Sequence, residues 1–149
     1  MENLRILLDN NIIDKINDIL NYLIEKSLHV EVFICSTILE ELASIPDTKK
    51  EIRIINLLQL AKLEAKFVND SVIVWDNSRW DFSDWSNGII YNNNVNDSHN
   101  NVHDAIIAET SVKHNCYLIT DDKRLYNKMR KHNYKVLSLS ELKEILIQL

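Results

Sequence analysis

The sequence predicts an α/β fold, a three-layer α/β/α sandwich in which a parallel sheet is covered by helices on both faces. Two observations carry this. Short β-favouring apolar runs alternate with longer segments whose apolar residues recur at helical spacing. The chain has 149 residues, enough for one full hydrophobic core, so residues 1–149 are expected to form a single domain.

The elements follow in order. Residues 4–8 form an apolar run that stops at Asp9-Asn10-Asn11, after which Ile12, Ile13, Ile16, Ile19, Leu20, Leu23 and Ile24 recur with helical period. Residues 30–35 read as the second strand. Ser36 or Thr37 then serves as an N-cap for a helix carrying Ile38, Leu39, Leu42 and Ile45, which Pro46 stops. Residues 48–66 hold Ile52, Ile55, Leu58, Leu60 and Leu63 among charges, a long amphipathic helix, and 72–75 reads as the third strand. Residues 76–101 lose all periodicity and are expected to be a long surface loop or insertion, with Trp80 and Trp85 following closely on Trp75. Beyond it come a mostly buried helix over 102–114, a strand over 117–119, a basic helix over 123–132, a strand over 135–139 and a capped terminal helix over 140–149. The chain shows neither an internal repeat nor a linker.

Composition removes several enzyme classes. Gly88 is the single glycine, and a Walker loop, a GxGxxG turn or a GxSxG elbow each needs several. Cys35 and Cys116 both lie in apolar, strand-like runs, too few for a four-cysteine zinc site or a disulfide framework, so a reducing, cytoplasmic setting is expected. No apolar stretch approaches the roughly 18 residues of a membrane span, and MENLRILLDNN lacks the design of a signal peptide. We therefore expect no membrane association. The net charge of -5 disfavours a surface that grips nucleic acid everywhere, yet between Lys113 and Lys135 seven positive charges face only Asp121 and Asp122.

In a parallel sheet of this kind, ligands bind beyond the carboxyl ends of the strands. The residues there are acids. Asp9 follows the first strand, Asp121 and Asp122 follow the strand at 117–119, and Asp104 opens the helix that feeds that strand. Glu41 lies at the border of the apolar face of the helix after the second strand, able to look inward, whereas Glu40 points nearly opposite. Singly, each acid could be a helix cap or a first-turn charge complementing the helix dipole. Gathered at one sheet edge they would repel one another, and a divalent cation with hard oxygen ligands is the usual remedy. An all-oxygen set favours Mg²⁺ or Mn²⁺ over Zn²⁺ and suits metal-assisted phosphoryl chemistry.

Four segments, ILLDNNIIDKI, STILEEL, HDAIIAETSVKHNCYLITDDKRL and YKVLSLSEL, occur in an order that resembles the PIN-domain ribonucleases, and among them the VapC-type toxins of bacterial toxin-antitoxin pairs. The resemblance places the family's acidic positions on Asp9, Glu41, Asp104 and Asp122, and its supporting polar positions on Asn11 and Thr120. Asp121 sits where the family varies and could be an extra ligand or a cap. The resemblance implies a five-stranded parallel sheet in the order 3-2-1-4-5, with Mg²⁺ or Mn²⁺ held by the acids. It also implies hydrolysis of single-stranded RNA to 5′-phosphate and 3′-hydroxyl ends. A cognate antitoxin protein and a homodimer are the further partners expected. Glu109 stands where the family usually has a small residue, and the segment 76–101 is longer and more aromatic than in compact members.

Lys123, Arg124, Lys128 and Arg130 lie beside the acidic turn, where cations tracking an RNA backbone would be needed, though a solvated helix face gives the same pattern. Trp75, Trp80 and Trp85 could stack unpaired bases, pack in the core or anchor a partner. His99 and His103 with Asp104 offer a weaker Zn²⁺ alternative, and His103 could instead support Asp104. Ser36, Ser111 and Ser138 have no elbow or paired base to make a nucleophile. A phosphoreceiver would want paired acids at the first strand and a Lys at the last, where Val136, Leu137 and Ser138 stand. The remaining rival is a PIN-like module that binds RNA or protein without cutting.

Overall fold

The computed structural model describes residues 3–70 and 102–149. Its five strands are β1 (Leu4–Leu8), β2 (Val30–Cys35), β3 (Lys66–Val68), β4 (Tyr117–Ile119) and β5 (Val136–Leu137), all parallel, in the order β3-β2-β1-β4-β5. This is the expected α/β sandwich. The helices are α1 (Asn10–Ile13), α2 (Leu20–Glu25), α3 (Ser36–Ala43), α4 (Lys50–Lys62), α5 (Val102–Lys113), α6 (Lys123–Lys131) and α7 (Leu139–Gln148), with single 3₁₀ turns at Ile16–Asp18 and Asp47–Lys49. The central strand β1 is buried to completion at Ile6, Leu7 and Leu8, and Ile12, Ile16, Ile38, Leu42, Ile107 and Leu118 join it in one core.

Three expectations are corrected. The period running from Ile12 to Ile24 is not one helix but α1, a 3₁₀ turn and α2, because an apolar stripe survives a local tightening of the backbone. The third strand of the sheet is at Lys66–Val68, whose first residue the sequence pattern assigns to the end of the preceding helix. That helix stops at Lys62, and Glu64 takes a left-handed conformation (φ 52°) that turns the chain back onto β2. An edge strand bonded on one side needs no long apolar run, and Phe67 is accordingly exposed. The residues at 72–75, the insertion at 76–101, Trp75, Trp80, Trp85 and His99 lie outside the described residues. Finally, neither Ser36 nor Thr37 caps α3. Cys35 is its N-cap residue without a capping hydrogen bond, and the buried Asp70 accepts instead from Thr37 N (3.1 Å) and Thr37 Oγ1 (2.9 Å).

Two asparagines carry work that glycine usually does. Asn115 and Asn133 adopt φ 55° and 58° just past α5 and α6, closing those helices with backbone bonds from Cys116 N to Ser111 O and from Tyr134 N to Met129 O. At the start of α7 the capping is reciprocal: Ser138 Oγ accepts from Glu141 N (3.2 Å), and Glu141 Oε2 accepts from Ser138 N (2.8 Å). We expect Ser138→Ala to lower stability by about 1 kcal/mol, read as a shift of the urea midpoint at unchanged slope.

Candidate metal centre

Strand order and register assemble the site. The chain leaves β1 toward β2 on one side and uses β4 on the other, so the order reverses between β1 and β4, where open sheets leave a crevice. Leu8 pairs with Ile119, and the ladder ends with Asp9 N donating to Ile119 O (3.0 Å). Asp9 and Thr120 therefore emerge side by side at the carboxyl end of the two central strands. α3, leaving β2, and α5, feeding β4, pack against each other above this edge and bring Glu41 and Asp104 to it.

Asp9 is 6% exposed and fully hydrogen-bonded. Its Oδ1 accepts from Asn10 N (2.7 Å), and its Oδ2 accepts from Thr120 Oγ1 (2.6 Å) and Asn11 Nδ2 (2.8 Å). Thr120 is completely buried, and its hydroxyl also accepts from Asp122 N (3.1 Å), so one oxygen ties the two strand-end acids together. Asn11 Oδ1 accepts from Asp121 N (3.2 Å), which fixes the turn after β4 against the turn after β1. Asn11 and Thr120 thus hold the Asp9 carboxylate and the backbone of the turn after β4. Thr120→Val keeps the shape but removes the hydroxyl, leaving buried polar groups unpaired. We expect a loss of about 1–3 kcal/mol, measured by urea unfolding.

Asp9, Glu41 and Asp104 each titrate above the ordinary carboxyl range. Burial is the largest cause for all three. Repulsion from Asp122 adds to it at Asp9, from Asp9 and Asp104 at Glu41, and from Asp9 and Asp122 at Asp104. The four acids therefore share one electrostatic neighbourhood. Each also has a structural task. Asp9 and Asp122 are N-caps, Asp122 Oδ1 accepting from Arg124 N (2.8 Å) and Leu125 N (3.0 Å). Glu41, 24% exposed, lies 2.9 Å from His103 Nδ1, and Asp104, 31% exposed, lies 3.6 Å from Arg124. Capping and clustering are here not alternatives but the same placement.

Drawn toward those partners, no three His, Cys, Asp or Glu side chains among the described residues close into a set that would hold a metal ion. The donor chemistry nevertheless fits a hard divalent cation: carboxylate oxygens only, three of them destabilised by burial and mutual repulsion, two of them accessible enough to turn away from His103 and Arg124.

Asp121 does not join. Its Oδ2 pairs with Lys15 (2.9 Å) and its Oδ1 accepts from Leu139 N (3.0 Å), so both oxygens are spent on α7 and the α1 turn, and its pKa is lowered. Arg130 is likewise committed, to Glu141 (3.1 Å) and Tyr126 (3.1 Å), on the side of α6 away from Asp104. Arg124 does reach the cluster, while Lys123 lies in an adjoining crevice and Lys128 is half-buried. Glu109 is buried within α5. Sequence reasoning passed over Asp70 and expected His103 beside Asp104. His103 is drawn to Glu41 rather than to Asp104, and Asp70 grips α3. Asp70 would have been legible as a residue after the third strand had that strand been placed at Lys66–Val68.

No protein-family model matches the chain, and no curated protein matches it. Among solved structures, it is similar to a domain of a functionally unknown protein from Methanocaldococcus jannaschii, with 15% identity, 91% of each chain covered and a TM-score of 0.58. That likeness concerns the fold.

Proposed function

We propose that this chain is a metal-dependent endoribonuclease of the PIN type. The observation that carries the reading is the convergence of Asp9, Glu41, Asp104 and Asp122 at the point where the strand order reverses, three of them titrating high through burial and mutual repulsion. A site that spends stability on crowded carboxylates, and holds them in place through Asn11 and Thr120, is organised for a cation rather than for folding alone.

Mg²⁺ or Mn²⁺, held by these four residues, would supply a water activated at neutral pH and charge stabilisation for the leaving oxygen. The protein contributes the rest. Asp9 is oriented by three donors and cannot rotate away. Arg124, beside Asp104, offers a cation next to the carboxylates for the approaching phosphate. Hydrolysis adds the water oxygen to phosphorus and breaks the bond from phosphorus to O3′, which takes up a proton; the products are a 5′-phosphate and a 3′-hydroxyl. Incubating the protein with single-stranded RNA and Mn²⁺ and determining the end chemistry tests this, and 2′,3′-cyclic phosphate ends would overturn it.

One observation favours a second reading, a module that binds without cutting: Glu41 and Asp104 already have His103 and Arg124 as partners. RNA retained at equal affinity with and without Mn²⁺, and never cut, would favour it. The chain's size and its resemblance to VapC-type proteins support a toxin role with a separately encoded antitoxin. Growth arrest on expression, relieved by the neighbouring open reading frame, is the expected result, and unaffected growth would count against it.

A further inference from the structure

Beside the acidic cluster, between the carboxyl end of β4, the first turns of α6 and the start of α7, lies a crevice of about 670 Å³ lined by Thr120, Lys123, Tyr126, Asn127, Ser140 and Glu141. Building on the ribonuclease reading, we propose that this crevice is a nucleotide pocket in which the Asn127 amide reads the edge of one unpaired base next to the cut and Lys123 takes its phosphate.

The walls are fixed before any ligand arrives. Tyr126 Oη donates to both oxygens of Glu141 (2.9 and 3.0 Å), and Glu141 accepts further from Arg130 (3.1 Å) and Ser138 N (2.8 Å). Asp121, on the opposite wall, is neutralised by Lys15 and bound to Leu139 N. Both carboxylates of the crevice are thus paired with cations, and a phosphate entering it meets no unbalanced negative charge. Against this saturated background two side chains stand out: no hydrogen bond or ion pair among the described residues engages Lys123 or Asn127. They are four residues apart on α6 and so share one helix face, with Tyr126 beside them.

The chemistry of the pair defines the ligand. A primary amide presents a donor and an acceptor side by side, the complement of a base edge, and an ammonium is a point charge suited to phosphate. The crevice is in the size range of small-ligand sites. It also adjoins the candidate metal centre, because Thr120 lines it while donating to Asp9. A nucleotide seated there would have its neighbouring phosphate at the carboxylates.

The test uses the full chain with a random single-stranded RNA pool and Mn²⁺, the cut ends being sequenced. Wild type is expected to prefer one base at a fixed position beside the cut by about five-fold, the low end expected for an exposed bidentate contact. Asn127→Ala should flatten that preference at this position alone, and Lys123→Gln should raise KM for all sequences without changing the ranking. A preference that persists in Asn127→Ala, or cutting with no preference at all, overturns the pocket and leaves the ribonuclease reading standing. Should wild type not cut, that reading falls, and the pocket is judged separately by titrating AMP, CMP, GMP and UMP without metal against the side-chain amide signals of Asn127. Unequal shifts support the pocket, and unmoved signals overturn it.

Discussion

Asp104→Asn is expected to lower Mn²⁺-dependent RNA cleavage by about 100-fold or more, since one charged ligand of a catalytic cation cannot be replaced by a neutral amide without loss. RNA binding should stay within about two-fold, because phosphate contacts from the basic side chains supply most of that affinity. Asp104 is the cleanest of the four acids to test. It is 31% exposed, its contact with Arg124 is a single 3.6 Å approach, and neither feature makes it essential to folding. Glu41→Gln should behave similarly, its amide retaining a contact with His103. Asp9→Asn is less clean: both carboxylate oxygens accept, so whichever becomes the amide nitrogen, able only to donate, leaves at least one donor facing it, and stability falls together with cleavage. Circular dichroism beside a fluorescent-RNA assay separates the two effects. Undiminished cleavage in Asp104→Asn would remove that residue from the site.

How much of this could be read from the chain depends on what each feature needs in order to be visible. The strand order was legible only through the family resemblance, whereas the edge position of Asp9 and Thr120 was legible from the chain itself, because both directly follow short apolar runs and in a parallel sheet such positions can only lie at the carboxyl edge. Helices with one-sided burial were legible for the same reason, α6 above all. The broken α1 and α2 were not, since the apolar stripe from Ile12 to Leu23 is the same whether or not a 3₁₀ turn interrupts it. The three-residue β3 carries too little pattern to be distinguished from the end of α4. Asp121 and Asp122 show the limit most directly. They are chemically identical neighbours, and which one joins the cluster is decided by Lys15 and Leu139 N, partners distant in sequence that no local spacing reveals. Arg130 differs from Arg124 in the same way: its partner Glu141 belongs to the next helix.

The cation-free protein should gain stability as pH falls from neutrality toward the ordinary carboxyl range, the reverse of ordinary acid denaturation. Asp9, Glu41 and Asp104 bind protons more tightly folded than unfolded, through burial first and mutual repulsion second. The folded state therefore holds more protons, and the free energy of unfolding declines as pH rises. The contribution of these groups is complete below the ordinary carboxyl values of 3.8 and 4.5 and is lost as pH climbs through the raised ones. Glu31, lowered by Lys66, Glu141, lowered by the Ser138 amide, and Asp121, where the Leu139 amide and Lys15 outweigh burial, act oppositely. What they contribute is complete above those same ordinary values and fades only below them, whereas Asp70, also raised by burial, acts in the same sense as the crowded three. A divalent cation should do at pH 7 what protons do in acid. With free Mn²⁺ about 100-fold above its Kd, stability rises by about 2.7 kcal/mol, or roughly 5–10 °C in Tm for a chain of this size. The gain should shrink on acidification as protons compete for the same oxygens. Asp104→Asn, with one repelling charge gone, should melt higher than wild type at pH 7 without cation, converge with it on acidification and respond little to Mn²⁺. A wild-type Tm that rises from pH 5 to 7, or that ignores Mn²⁺, would mean that the four acids are not a cation site, and that the convergence at the β1–β4 edge serves helix capping alone.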